Sequence, residues 1–207
     1  ILWKASEARK AGLNLTRFLG WLNARGHAFA GYSDLHDWSV RDLPGFWAVV
    51  ADYFGVIMDG TPEAIVTGEM PQARWFTGTR MNYAEHVLRH EGTGDPGRVM
   101  LHHGSESRPM ATSSWAEVAG AVRKLATRLR AMGIGPGDRV VAYMPNLPET
   151  VIAMLATTAI GAVWSSAAPE FGAQTVIDRF GQIAPKLVFA VNGYRYGGKD
   201  HDRSADL

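Results

Sequence analysis

The sequence predicts an α/β protein centred on a parallel sheet, on two observations. Three short apolar runs, Arg139 to Pro145, Ala162 to Ser166 and Lys186 to Val191, alternate with two segments of helical period, Pro148 to Gly161 and about Ala173 to Ile183. Crossovers of this length join strands that are almost always parallel and right-handed, which leaves the sheet covered by helices. The first crossover opens with Pro148-Glu149, a ring of fixed φ and an acid in the first turn, both suited to a helix N-terminus. Val151, Ile152, Met154, Leu155 and Ile160 leave it no wide polar face, so it should be enclosed. The second places Val176, Ile177, Phe180 and Ile183 on one face, sets Asp178, Arg179 and Gln182 opposite, and stops at Pro185. Ligands of such sheets gather outside the carboxyl ends of the strands. Here these are the loops Met144 to Pro148, Ser165 to Gly172 and Asn192 to Lys199; the alternative for each is an ordinary connector.

Upstream, residues 1–97 read as helices and loops rich in aromatics. Asn14 is read as the N-cap of a helix carrying Leu15, Phe18, Leu19 and Leu22 and ending near Gly26. A second helix, about Leu43 to Phe54, takes Pro44 in its first turn, shows a stripe of Phe46, Trp47, Val50 and Phe54, and ends at Gly55. Such stripes are packing surface, the spacing burial requires. Gly60 to Pro62, Gly68 to Pro71 and Gly92 to Gly97 mark loops. Gly92-Thr-Gly-Asp-Pro-Gly97 spells G-x-G-x-x-G, but a helical segment (Asn82 to His90) precedes it and a strand (Arg98 to His102) follows. That is the reverse of the order a phosphate-cradling turn needs, so it is read as a Gly/Pro turn. His86 and His90 share a helical face without the Glu of a His-Glu-x-x-His zinc site, and are read as surface histidines; His102 and His103 are read as structural. Ser114-Trp-Ala-Glu117 is a capping box opening an amphipathic helix with Trp115, Val118, Ala119, Val122, Leu125, Ala126, Leu129 and Met132 inside and Gly133 as its αL terminator. Gly135 to Asp138 then turns the chain into the first central strand, at the end of the sheet away from ligands.

Composition excludes several functions. Of 207 residues 46% are hydrophobic and 20% charged, with a net charge of +1. No long-range field draws nucleic acid or an anionic membrane. Cysteine is absent, which removes disulfides, thiolate metal sites and a Cys nucleophile, and fits a cytoplasmic location. The apolar run from Val151 to Trp164 is too short to span a bilayer, and no signal-peptide layout opens the chain. No G-x-S-x-G elbow or Walker loop occurs. The chain starts at Ile1 and stops at Leu207 after a polar stretch. Three strands are few for an open α/β sheet, so a fragment is expected, with the remainder of its own chain as a partner.

The block Gly133 to Asn146, with Ala159 to Ser166 and Lys186 to Phe189, resembles the opening third of the acyl-CoA synthetases of the adenylate-forming superfamily. Trp38-Ser-Val40, Pro44-Gly-Phe-Trp47 and Trp75 to Glu85 resemble the N-terminal extension shared by acetyl-CoA and acetoacetyl-CoA synthetases. Leu2-Trp-Lys4, Ala168 to Gly172, Asp178 to Lys186 and Tyr196 to His201 are similar to the acetoacetyl-CoA branch. The resemblance implies an extension at 1–97 and, at 98–207, an incomplete first α/β subdomain of the AMP-binding domain. It implies a ligase that converts acetoacetate and ATP to an acyl-adenylate and pyrophosphate, then transfers the acyl group to CoA with release of AMP. Acetyl- or propionyl-CoA synthesis is an alternative, as is a non-catalytic protein-binding module. The phosphate loop, the ATP and Mg²⁺ sites and the catalytic Lys of the family lie outside this sequence, so no catalytic residue is expected in it. One subsite carries over. Where acetyl-CoA synthetases place an Arg-Ala-Gly-Arg segment on the 3′-phosphate of CoA, this chain has Arg195, Tyr196, Gly197, Gly198 and Lys199. Lys199 stands one residue beyond the second Arg and offers a point charge, not a fork; the alternative is two solvated cations.

Overall fold

The structure, a computed structural model, describes residues 3–95 and 97–207. Leu2 of the Leu2-Trp-Lys4 segment and Pro96 of the Gly92 to Gly97 turn lie outside the described residues. The chain divides into two compact units, Ile1–Met81 and Asn82–Leu207.

Four helices lead the first unit: α1 (Glu7–Ala11), α2 (Asn14–Asn23), α3 (Tyr32–Arg41) and α4 (Leu43–Tyr53). Buried Phe18, Leu22 and Leu35 form its core, with Trp21, Trp38, Phe46, Val49 and Tyr53 packed around them. Asn14 is not the N-cap. Leu13 holds that extended position without a side-chain cap bond, and Asn14 is already helical. A side chain can cap only from the residue with non-helical backbone, one position earlier. The stripe on α4 is also shifted. Phe46, Val49, Val50 and Tyr53 face the core through steps of three and four, while Phe54 is exposed and Trp47 packs edge-on against Trp75 at 5.6 Å. Trp75 belongs to an antiparallel hairpin, β1 (Ala64–Thr67) and β2 (Arg74–Thr77), in a stretch read only as loop and helix.

The second unit opens with α5 (Tyr83–Leu88), capped by Asn82, whose side-chain amide also donates to the Thr158 carbonyl at 3.0 Å. Ala84 is fully buried in the core of this unit. A hairpin follows, β3 (Val99–Ser105) and β4 (Arg108–Ser114), paired antiparallel. The capping box of Ser114 and Glu117 opens α6 (Trp115–Ala131), which buries Val118, Ala119, Val122, Ala126 and Leu129; Met132 lies past its end and is exposed, and Gly133 has φ +78°.

The three expected strands are β5 (Arg139–Tyr143), β6 (Val163–Ala167) and β7 (Leu187–Ala190), parallel in the order β6-β5-β7. The central strand alternates between two cores. Val140 packs with α6 and with α7 (Pro148–Ala159), while Val141 and Tyr143 pack with Val176 and Phe180 of α8 (Ala173–Gly181). Of α7 only Glu149 is exposed, so that helix is enclosed as expected. Ile177, expected inward, is exposed: it lies about 100° around the helix from Val176, off the stripe of Val176, Phe180 and Ile183.

Below the sheet, at its amino edge, Lys186 Nζ donates to Asp138 Oδ2 at 2.9 Å and to the Gly133 carbonyl at 2.6 Å, while Arg139 donates to the carbonyls of Ile183 and Ala184. These bonds tie the end of α8 to β5, and the end of α6 to the residue that precedes β7. Above the sheet, the stretch read as a loop is a third hairpin, β8 (Gly193–Tyr196) and β9 (Lys199–Asp202). Among the described residues no helix is long and apolar enough to cross a membrane.

Candidate functional site

The carboxyl ends of β5, β6 and β7 carry the loops singled out in the sequence, and they surround a cleft of about 890 Å³. Its floor is Pro145, Asn146, Leu147, Ala168 and Pro169; one wall is Val191 to Tyr196, and the β3–β4 tip supplies Ser105, Ser107 and Arg108. Each loop is held by a specific bond. The Tyr143 hydroxyl, at the end of the central strand, reaches the carbonyls of Pro169 at 3.0 Å and Phe171 at 2.6 Å, and burial pushes this phenol's pKa up. Thr150 Oγ1 donates to the Pro145 carbonyl at 2.8 Å, fixing the turn that starts α7. The Arg203 N–H donates to the Asn192 carbonyl at 2.7 Å, and Tyr194 stacks on His201 at 4.8 Å, which pins the base of the β8–β9 hairpin.

The charged side chains lining the cleft are Arg108, Arg195 and Glu170. Arg108 Nη1 donates to both oxygens of Glu149, at 2.8 and 3.0 Å. Burial pushes the Glu149 carboxyl up, but its own backbone N–H and Arg108 outweigh that and leave it below the usual range. Arg195, on β8, has a half-exposed side chain with Asp200 3.8 Å from its Nε. Arg108 is thus neutralised, whereas Arg195 faces two exposed carboxylates, Asp200 and, across the turn, Glu106.

Of the five expected cofactor-binding residues, Arg195 and Tyr196 line the cleft. Gly197 and Gly198 form the β8–β9 turn with φ of +61° and +73°, and Lys199 begins β9. The register sets Tyr196 opposite Lys199 and Arg195 opposite Asp200. Cross-strand partners share a face and neighbours alternate, so the two cations leave the ribbon on opposite faces and come closest at the turn.

That turn holds an anion already, and sequence reasoning missed it. The N–H groups of Gly197 and Gly198 donate to Glu106 Oε1 and Oε2, both at 2.7 Å. The Gly198 and then the Gly197 N–H hold this carboxyl below its usual range, with Arg195 adding to the effect. Glu106 belongs to the β3–β4 tip, far away in sequence. Only recognition of Val99 to Ser114 as a hairpin would have placed it at an exposed tip.

The other singled-out residues form no second site. His86 and His90 are partly buried at the surface: His90 packs edge-on against Trp115 at 5.6 Å, and Arg89 lies against the His86 ring. Burial first, then Arg89 and His90, lower the His86 pKa. His103 Nε2 is 3.1 Å from Ser113 Oγ across the β3–β4 ladder. Among the described residues no group of three or more His, Asp or Glu side chains is placed to hold a metal ion.

Comparison with known proteins gives consistent matches. The AMP-binding enzyme family matches residues 88–206, and the acetyl-coenzyme A synthetase N-terminus family matches residues 32–87. An acetoacetyl-coenzyme A synthetase of Rhizobium meliloti is 45% identical over 91% of this chain and 29% of its own length. An acetoacetyl-CoA synthetase of Rattus norvegicus is 39% identical over 97% of this chain and 30% of its own. The solved acetoacetyl-CoA synthetase from Streptomyces lividans superposes with a TM-score of 0.93 at 45% identity, covering 99% of this chain and 32% of that one. The chain spans under a third of the length of these relatives.

Proposed function

Because the chain belongs to the AMP-binding enzyme family, we propose that it is the N-terminal part of an acetoacetate-CoA ligase. The longer enzyme activates acetoacetate with ATP to an acyl-adenylate and pyrophosphate, then passes the acyl group to CoA and releases AMP. The observation that carries this reading is the 45% identity, with a TM-score of 0.93, to an acetoacetyl-CoA synthetase over 99% of the chain. The proposed organisation is an extension over residues 1–97 followed, at 98–207, by the first α/β subdomain of the AMP-binding domain, in a cytoplasmic enzyme.

The chain's own residues contribute shape and charge rather than bond-making. The strand-end loops clamped by Tyr143 and Thr150 form the floor of a cleft from which water can be displaced, as a reactive mixed anhydride requires. Arg195, the Gly197 and Gly198 N–H groups and Lys199 are proposed as the subsite for the 3′-phosphate of CoA, which combines charge with backbone donors. From the opposite faces of the ribbon, the two cations reach one phosphate only when it lies across the tip. The sites of ATP and of the Mg²⁺ that adenylation uses are proposed to lie elsewhere in the longer enzyme, and the 207 residues alone are proposed to be inactive.

Pyrophosphate exchange measured on the longer enzyme tests the reading: it should depend on acetoacetate and exceed the rate with acetate or propionate. The match of residues 32–87 to the acetyl-coenzyme A synthetase N-terminus favours acetate or propionate as the second reading, and faster exchange with either would select it. Exchange by the 207 residues alone would overturn the placement of the chemistry.

A further inference from the structure

Two hairpin tips meet at the rim of the cleft. The β8–β9 tip is a two-residue turn of two left-handed glycines, the type I′ geometry that matches strand twist. A Cβ at either glycine would meet nothing within 4 Å, so the positive φ, not crowding, calls for glycine there. Two successive N–H groups in such a turn form a concave anion receptor. Both are taken by one carboxylate, Glu106, across 91 and 92 residues of sequence. Glu106 is itself exposed, so it can swing away without opening a core. Arg195 Nη2 lies 3.5 Å from the Gly198 carbonyl and keeps a positive charge beside the receptor.

We propose that Glu106 is a displaceable internal anion that competes with a phosphate monoester for the N–H groups of Gly197 and Gly198, and so sets the affinity for ligands that carry one. The inference rests on the reading of this hairpin as the CoA phosphate subsite. A carboxylate and a phosphate each present a pair of oxygens to the two donors, and the phosphate brings the larger charge. Tethering makes Glu106 a competitor at high effective concentration. The apparent dissociation constant of the ligand is its intrinsic value divided by the fraction of time the turn is open. A latch closed about nine-tenths of the time therefore weakens phosphate binding about tenfold.

The test uses the longer ligase and Glu106→Gln, which keeps size and one acceptor but removes the charge. Apparent affinity for CoA should rise about tenfold while that for dephospho-CoA, which lacks the 3′-phosphate, stays the same. Weaker binding of both thiols would mean that Glu106 is only a strut between hairpins, and the proposal falls. A second measurement is independent of CoA: the amide signals of Gly197 and Gly198, titrated with inorganic phosphate. In E106Q they should shift saturably at concentrations that leave the wild type unmoved; equal response or no response in both proteins overturns the competition. Should CoA and dephospho-CoA bind alike in every variant while phosphate still separates the two proteins, the latch stands and the CoA assignment falls. Glu106→Asp keeps the charge on a stem too short to meet both donors and should respond between the two. It carries the same test if the Gln variant does not fold.

Discussion

Replacing Tyr143 by Phe should loosen the cleft floor without disturbing the sheet beneath it. The ring is only 3% exposed and stays in place in the variant, so no cavity opens between Val141, Val176 and Phe180. What goes is one hydroxyl proton shared between the carbonyls of Pro169, at 3.0 Å, and Phe171, at 2.6 Å. Losing a buried donor and leaving its acceptors unpaired costs about 1–2 kcal/mol. The loss is local to the loop before α8, where the Phe171 N–H donates to the Ala168 carbonyl at 3.1 Å. Since about 1.4 kcal/mol is a factor of ten, hydrogen exchange at that amide should speed up about tenfold, while amides of β5 keep their protection. Mass spectrometry of peptides covering 168–173 and 139–143 reads both. Unchanged exchange at 168–173 would show that the loop holds itself; equal acceleration in β5 would show a global loss; either refutes the reasoning. The pH dependence gives a second check. Burial raises the folded pKa of this phenol, although Arg203 opposes the shift. Its contribution to stability is therefore fully present below the ordinary tyrosine value and is lost as pH rises through the folded one. The Tyr143→Phe variant, which has no phenol to ionise, should lack that part of the alkaline loss.

Thr157 is fully buried and its hydroxyl has no hydrogen-bond partner among the described residues, so Thr157→Val should raise stability by about 1 kcal/mol, read as a higher urea midpoint. Lys186 and then the Gly135 N–H lower the Asp138 pKa below its ordinary 3.8; this stabilisation is present above that value and lost as pH falls through the folded one. In Lys186→Gln the acid limb of the stability profile should move to higher pH, and an unmoved limb would count against the bridge. Replacing Arg195 and Lys199 together with Ala should weaken CoA binding about tenfold or more and leave pyrophosphate exchange nearly untouched. An equal loss with dephospho-CoA would remove the phosphate assignment.

The parallel sheet was legible because burial wrote it into the residues. Val140, Val141 and Ala142 are fully enclosed, and a strand buried on both faces reads as an unbroken apolar run. The capping box of α6 was legible because it is local: Ser114 and Glu117 carry their own signal within one turn. The three hairpins went unread, although one of them carries a turn signal. β4 runs Arg-Pro-Met-Ala-Thr-Ser-Ser with Met110 exposed, and β9 runs Lys-Asp-His-Asp. Such strands exist through ladder bonds to a neighbour, and composition does not record a neighbour. The helix errors have a different origin: Trp47, Phe54 and Ile177 are apolar but sit about one residue step off the buried stripe, and hydrophobicity alone cannot say which edge of a broad apolar face meets the core.

The β8–β9 hairpin could have been read. Gly197-Gly198 is a two-residue turn signal, and once it is placed, the register follows without coordinates: Tyr196 opposes Lys199, and Arg195 opposes Asp200. Alternation then sends Arg195 and Lys199 to opposite faces of the ribbon, so neither face offers both cations. Only the tip does, where the ribbon ends and the two glycine N–H groups project. Glu106 already sits there. What no local pattern could supply is that carboxylate, because its partner turn lies more than 90 residues downstream and the contact depends on two exposed hairpins reaching the same point in space. The residues proposed to bind a phosphate at this rim are thus written in the sequence near the turn, and the carboxylate proposed to compete with it is written elsewhere.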